Sequence, residues 1–292
     1  MTAEVFEVHS EAFKQILTPD SRVEQICTGL QFTEGPCYFM EDEYLIFNDI
    51  YGDRTCKWSE KDGLTTYKAP SGRTNGTTRD RQGRLVTCGH YLRTLFREES
   101  DGSETLLADS YNGKKLNSPN DVVVRSDDTI WFTDPPYGIK PEEQEQPANY
   151  VFRLDPDGAL TPLVDDFIRP NGLALSPDEK QLYIADAEHD TRHHIRVFDI
   201  TPQNTLANGR VFCDIRSGIP DGFRFDTEGR LYTSAADGIQ IFDTGGRIIG
   251  KILVPESPAN CTFGGPGKHT LFITARTSVY RVVLSSTGAQ VP

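Results

Sequence analysis

A short strand-like pattern recurs six times along the 292 residues of the chain, and this repetition limits the fold more than any other feature. The copies are YLIFNDI (44–50), RLVTCGH (84–90), TIWFTDP (129–135), QLYIADA (181–187), RLYTSAA (230–236) and TLFITAR (270–276). Their first residues lie 40, 45, 52, 49 and 40 positions apart, which leaves room for four short strands in each unit but not for a helical crossover in every unit. The chain is therefore predicted to consist of six similar β units.

A second pattern begins nine or ten residues before each copy, and turn sequences such as DRQG (80–83) join the two patterns as a hairpin. Third and fourth strands follow, as in YVFRLDPDG (150–158) and LTPLVDDF (160–167). Units of this kind match the blades of an all-β, six-bladed β-propeller with four-stranded blades, here predicted as one domain over residues 1–292. A pair of β-sandwiches is the main alternative, because a β-helix needs a shorter repeat.

The segment 23–32 (VEQICTGLQF) has the character of a fourth strand but precedes the first blade, whereas the chain ends soon after the third strand of the sixth. We expect this N-terminal strand to complete the last blade and close the ring, because closure removes a free sheet edge. Residues 1–22 are then an N-terminal extension that packs on the propeller. A short helix is predicted near residues 9–17.

Polar residues open all six inner strands, which line the central channel of a propeller. These openers are Glu34, Asn75, Asn120, Asn171, Asp221 and Asn260. One interpretation is local, because Asn and Asp before Gly or Asp favour turns. The other is a ring of oxygen ligands, since Glu is not a turn residue and buried carboxylates need a compensating cation. Hard oxygen ligands predict Ca²⁺, with Mg²⁺ or Mn²⁺ as substitutes; Zn²⁺ is less expected, because neither His nor Cys is among the openers.

The composition excludes several classes of partner. The formal net charge is −13 and no basic run occurs, which argues against binding to nucleic acid or to an anionic membrane surface. No apolar run approaches a membrane span, and the acidic residues within 1–17 do not suit a signal peptide, so a cytoplasmic location is expected. Serine-nucleophile and nucleotide-binding fingerprints are missing. The oligomeric state stays open.

Several motifs resemble the gluconolactonase and senescence marker protein (regucalcin) family of calcium-dependent propeller hydrolases, and more distantly diisopropyl fluorophosphatase and the paraoxonases. They are EGP (34–36), SPND (118–121), FTDPPYG (132–138), RPNGLALSPD (169–178), LYIADA (182–187) and PDGFRFD (220–226). The resemblance implies hydrolysis of a sugar or related small lactone. It also implies a metal held by Glu34, Asn171 and Asp221, with Asn120 as a further ligand or a substrate contact.

Substrate recognition is less well matched to the family. Its animal members bind sugar hydroxyls through an Arg and an Asn in one loop. The nearest counterpart of that loop here is the segment that contains Arg73 and Asn75. Tyr137 in the DPPYG stretch is expected to form one wall of the pocket, although a packed aromatic is the alternative.

Two residues are candidates for proton transfer. Asp221 is predicted as the general base, because a carboxylate in contact with both metal and water can accept a proton. His90 ends the second repeat and is expected near the channel mouth, either to contact substrate or shuttle a proton, or as an ordinary hydrogen-bonded histidine. Two other functions remain open: hydrolysis of organophosphates or aryl esters at the same site, and a non-catalytic scaffold that binds a protein partner.

Overall fold

The computed structural model describes residues 5–188 and 190–291, which form six antiparallel sheets arranged in a ring. The inner strand of each sheet contacts the inner strand of the next, and the sixth contacts the first. The predicted all-β, six-bladed propeller is therefore confirmed. Within the described ranges, no helix has the length and apolar character needed to cross a membrane.

The blades are numbered along the chain, and their strands are given from the inner to the outer. Blade 1 contains Thr33–Phe39, Tyr44–Asp49, Arg54–Ser59 and Gly63–Lys68; blade 2 contains Thr77–Arg79, Leu85–Gly89, Thr94–Glu98 and Glu104–Ala108. Blade 3 contains Val122–Val124, Ile130–Thr133, Val151–Leu154 and Leu160–Val164; blade 4 contains Pro170–Leu175, Gln181–Glu188, Arg192–Ile200 and Leu206–Asp214. Blade 5 contains Phe223–Phe225, Leu231–Ala235, Gly238–Phe242 and Ile248–Leu253; blade 6 contains Pro258–Gly264, Thr270–Ala275, Ser278–Val283 and Glu24–Cys27.

Smaller elements lie between the blades. A hairpin of Ser110–Tyr111 and Lys114–Lys115 connects blades 2 and 3, and 3₁₀ turns cover Pro141–Glu143 and Pro266–Lys268. The longest insertion, residues 138–149, is fixed by the buried Gln146, whose Nε2 donates to main-chain carbonyls of that hairpin.

The ring closes through the N-terminal segment, as the sequence predicts. Glu24–Cys27 pairs antiparallel with Ser278–Val283 and becomes the outer strand of blade 6. Because the two strands come from opposite ends of the chain, opening the propeller requires breaking this pairing.

Blade 5 departs from the predicted four strands. Phe6–Val8 pairs with Ile248–Leu253 as a fifth, outermost strand, and the helix Glu11–Ile16 follows it. Phe13 and Ile16 of this helix are fully buried in a cluster shared by blades 5 and 6. Burial of these apolar side chains holds the described part of the extension on the propeller; residues 1–4 of the predicted extension lie outside the described residues.

The repeat predicts equivalent core positions in all blades, and they are buried. Each lies in the second strand and pairs with its inner-strand neighbour at the same end of the blade. They are Leu45, Leu85, Ile130, Leu182, Leu231 and Leu271. With this register, the six openers lie together at one end of the channel.

Candidate active site

The openers surround the floor of a cavity of about 240 Å³ at one end of the channel. Five of them line it: Glu34, Asn75, Asn120, Asn171 and Asp221. The sixth, Asn260, is buried beside them, and its Nδ2 donates to Glu34 Oε2 at 3.1 Å. The structure thus brings together all of the predicted metal-binding residues.

Hydrogen bonds link the side chains of this ring. Asn75 Nδ2 donates to Asn120 Oδ1 at 2.7 Å, and Asn120 Nδ2 donates to Asn171 Oδ1 at 2.5 Å. The Asn171 side chain in turn hydrogen bonds to Asp221. Each bond fixes an amide with its nitrogen towards a neighbour, while the oxygen keeps a second lone pair that can bind a cation.

Glycines follow four of the openers because the inner strands approach one another closely there. A Cβ atom on Gly35 would lie 2.1 Å from the Asn75 carbonyl oxygen, and one on Gly222 would lie 1.9 Å from the Asn260 side chain. Added Cβ atoms on Gly76 and Gly172 would meet the next blade's carbonyl oxygens at 2.5 and 2.2 Å. These dipeptides therefore serve close packing around the axis, and the turn interpretation is not needed to explain them.

The two carboxylates of the ring are destabilised in their charged form. Burial raises the pKa of Glu34 and of Asp221, and the negative charge of Asp121 raises both further; the charge of Glu34 also raises the pKa of Asp221. A cation between them would remove this penalty. Among the described residues, no three His, Cys, Asp or Glu side chains converge as a metal site, so a cation held here would need amide oxygens as further ligands. Two carboxylates with amide oxygens fit Ca²⁺ rather than Zn²⁺.

A buried ion pair lies in the channel near this ring. Arg224 Nη1 lies 3.7 Å from Asp121 Oδ2, and both side chains are almost completely buried. Arg224 Nε donates to Gln290 Oε1 at 3.0 Å, within the C-terminal residues that line the other end of the channel. Sequence reasoning missed this pair, although Asp121 and Arg224 each lie in an opener motif.

His90 lies in the cavity wall, where the sequence places it. Its Nδ1 is 3.2 Å from the Pro119 carbonyl oxygen and 2.8 Å from Ser118 Oγ. The Pro119 carbonyl oxygen only accepts, and the Ser118 hydroxyl donates its own proton to the His90 carbonyl oxygen at 3.0 Å. We therefore assign the ring proton to Nδ1, which leaves Nε2 as an acceptor. Burial lowers the pKa of His90 to about 4, so the ring is neutral at pH 7.

The low pKa of His90 predicts a stability change with pH. Folding holds this ring neutral where the unfolded chain, with an ordinary pKa of 6.5, is protonated. Its stabilising contribution is therefore complete above pH 6.5 and is lost as the pH falls towards 4. We expect the free energy of unfolding of the native protein to fall relative to His90→Gln by up to about 1.4 kcal/mol per pH unit in this window. Urea unfolding measures it, with the exposed His9→Gln as control; parallel curves would contradict the expectation.

Aspartates at or near the ends of second strands stabilise the loops that lead into the inner strands. Asp49, Asp134 and Asp186 each accept two consecutive main-chain N–H groups. In blade 2, Gly89 stands at this position and Asp53 Oδ1 takes over the role, accepting from Gly72 N and Arg73 N at 2.8 and 2.9 Å. The N–H donors in blades 1, 3 and 4 are Gln31 and Phe32, Asn117 and Ser118, and Ile168 and Arg169, respectively. The sequence indicates these positions, but not their structural role.

Aromatic side chains form the upper wall of the cavity. Phe32, Tyr51, Tyr91 and Tyr137 all line it, so the predicted position of Tyr137 agrees with the structure. Arg73 does not line the cavity: its exposed guanidinium lies 5.2 Å from the centre of the Tyr91 ring, at the rim. The cavity therefore has a polar floor, formed by the openers, and an upper wall of aromatic side chains.

Known proteins resemble this chain in sequence and architecture. The family profile described as "SMP-30/Gluconolactonase/LRE-like region" matches residues 32–277. A gluconolactonase of Zymomonas mobilis is 32% identical over 97% of this chain and 86% of its own length. The structure of a gluconolactonase from Xanthomonas campestris superposes with a TM-score of 0.89 at 35% identity, covering 96% of this chain and 94% of that one. A regucalcin of Agrobacterium tumefaciens, described as a calcium-binding protein, shares the fold (TM-score 0.77, 19% identity, 92% and 95% coverage).

Proposed function

The chain belongs to the SMP-30/gluconolactonase family and is a lactonase, and from this premise we propose that it opens a sugar or related small lactone with the help of a Ca²⁺ ion held by Glu34, Asn171 and Asp221. The main observation behind the proposal is that two carboxylates and several amide oxygens lie together on the floor of one cavity. The calcium-binding regucalcin of the same fold supports the choice of ion.

We assign different roles to the residues of the ring. Glu34, Asn171 and Asp221 would hold the cation, and Asn120, which bonds to Asn171, would be a further ligand or contact the substrate. When bound, the cation supplies electrophilic stabilisation of the lactone carbonyl oxygen and lowers the pKa of a nearby water. The aromatic side chains that line the cavity would pack against the bound lactone.

Proton transfer is assigned to Asp221. Its carboxylate faces the cavity, accepts a proton from the attacking water, and returns it to the ring oxygen as that oxygen leaves as an alcohol. One water is consumed and one hydroxy acid is formed. Asn75 and His90 line the same cavity and would position substrate hydroxyls, with His90 Nε2 accepting a hydrogen bond.

The proposal is tested by acid release from a panel of sugar and aliphatic lactones, with an aryl ester and a phosphotriester for comparison. We expect the lactones to be the best substrates and activity to depend on a divalent ion. Faster turnover of the phosphotriester, or full activity after chelation, would contradict it. Metal analysis of the purified protein identifies the ion independently. The cytoplasmic location remains a prediction.

Calcium is expected to stabilise the folded protein, because the ligand ring exists only when all six blades are assembled. At a hundredfold excess over the dissociation constant, the free energy of unfolding should rise by about 2.7 kcal/mol. Thermal unfolding with added Ca²⁺ and with chelator measures the change. Glu34→Gln should show a smaller shift; equal melting temperatures with and without Ca²⁺ would argue against the site.

A further inference from the structure

Three exposed arginines surround the mouth of the cavity, and each lies over an aromatic ring that lines it. The guanidinium of Arg73 is 5.2 Å from the ring centre of Tyr91, that of Arg169 is 5.6 Å from Tyr137, and that of Arg276 is 5.7 Å from Phe32. These distances are those of cation–π contacts. The arginines come from blades 2, 4 and 6, so they are spread around the rim.

These arginines differ from most others in the described chain. Most arginines pair with a carboxylate oxygen within 4.0 Å, as Arg84 does with Asp80 and Arg230 with Asp226. In the part of the chain that the structure describes, no such ion pair involves the three rim arginines. Their positive charges therefore remain available to a ligand.

The backbone holds the rim arginines in place. The main-chain N–H groups of Arg73 and Arg169 donate to the carboxylates of the partly buried Asp53 and the buried Asp186. Arg73 and Arg276 have positive φ angles of 56° and 46°, a conformation that does not favour arginine. Local backbone preference therefore does not explain why arginine stands there.

Several acidic side chains around the cavity have positive partners other than the rim arginines. A divalent cation would offset the charges of Glu34 and Asp221, and Asp121 is paired with Arg224. Asp49 and Asp186, which lie beneath the rim, are paired with Arg54 and Arg192. Among the described residues the three rim guanidinium groups form no ion pair within 4.0 Å, even though the whole chain carries a net charge of −13. Glu188 lies near enough to Arg169 to interact, but it accepts hydrogen bonds from Thr191. An anionic ligand is the natural complement.

We propose that the substrate is a small lactone that carries a second, anionic group, a phosphate or a carboxylate, bound by Arg73, Arg169 and Arg276. This inference rests on the proposed function and narrows its substrate class. The lactone carbonyl faces the ring of openers while the anionic group stays at the rim, where guanidinium groups bind such oxygens well. The cavity of about 240 Å³ suits a single sugar-sized lactone.

The test compares glucono-1,5-lactone with its 6-phosphate and with a glucarolactone that carries a carboxylate, all with saturating Ca²⁺. At least one anionic lactone should have a kcat/KM about tenfold or more above the neutral one, and the preference should shrink as salt rises. Arg73→Gln, Arg169→Gln and Arg276→Gln should each lower the ratio of anionic to neutral kcat/KM, by about tenfold for a lost charge-assisted hydrogen bond. The matched control is Arg22→Gln, an exposed arginine before the outer strand of blade 6.

Calorimetric binding of 6-phosphogluconate and gluconate separates this inference from the proposed function. Tighter binding of the phosphorylated acid, weakened by the three rim substitutions and unchanged by Arg22→Gln, supports the anionic site whether or not a lactone is hydrolysed. Failure to hydrolyse any lactone would refute the proposed function alone. A wild-type preference for the neutral lactone, or a ratio that the rim substitutions leave unchanged, overturns the inference.

Discussion

Asp221→Asn is expected to lower kcat for lactone hydrolysis by about a thousandfold, even when added Ca²⁺ restores full occupancy, as is typical when a general base is removed. The substitution keeps an oxygen ligand of similar size in the same place. It removes the negative charge and, with it, the proposed proton acceptor that lines the cavity. Steady-state rates must be measured together with metal content, so that loss of the ion is not mistaken for loss of the base.

Glu34→Gln is the matched control, because Glu34 is the other carboxylate of the ring. Its Oε2 accepts hydrogen bonds from Gly35 N and Asn260 Nδ2, and these bonds fix the carboxylate on the floor of the site. This variant should bind Ca²⁺ more weakly and recover much of its activity as the ion is added. If the Asp221 variant instead recovers in parallel with its metal content, Asp221 is only a ligand and another group, such as His90, must accept the proton.

The fold could be predicted because each blade repeats the same local pattern, and the closing strand because segment 23–32 has no other sheet to join. The fifth strand of blade 5 could not. Phe6–Val8 is only three residues long, so it carries too little periodicity to be recognised. Its place is set by tertiary packing, as Phe13 of the following helix lies against Gly250.

The floor of the site could also be predicted, since residues in phase within a symmetric repeat must meet at the axis. The rim could not, because its contacts join residues far apart in sequence, such as Arg276 and Phe32. Asp53 is a similar case: it replaces a carboxylate that blade 2 lacks, from a turn of blade 1 where no repeat marks it. The roles and ligands of the predicted site residues remain predictions until variants are measured.

Arg224→Met is expected to reduce the free energy of unfolding by about 3–5 kcal/mol, the usual cost of leaving one partner of a buried ion pair uncompensated. Methionine preserves much of the apolar length of the side chain. Asp121 would keep its bond from Val122 N, but Asp121 Oδ2 already lacks a hydrogen-bond partner among the described residues and would lose the cation that lies 3.7 Å away. Urea unfolding in the presence of chelator measures the loss without a contribution from Ca²⁺.

Asp121→Asn removes the charge of residue 121 and leaves its packing nearly unchanged. Asp121→Asn alone should lower the free energy of unfolding by less than Arg224→Met does, because Arg224 keeps its hydrogen bonds to the Phe223 carbonyl oxygen and Gln290 Oε1. In the double variant the uncompensated charge is gone, so the loss should be smaller than the sum of the single losses by about 1–3 kcal/mol. Strict additivity would mean that the two charges, although 3.7 Å apart, do not stabilise one another, and that Arg224 is held in the channel by its hydrogen bonds alone.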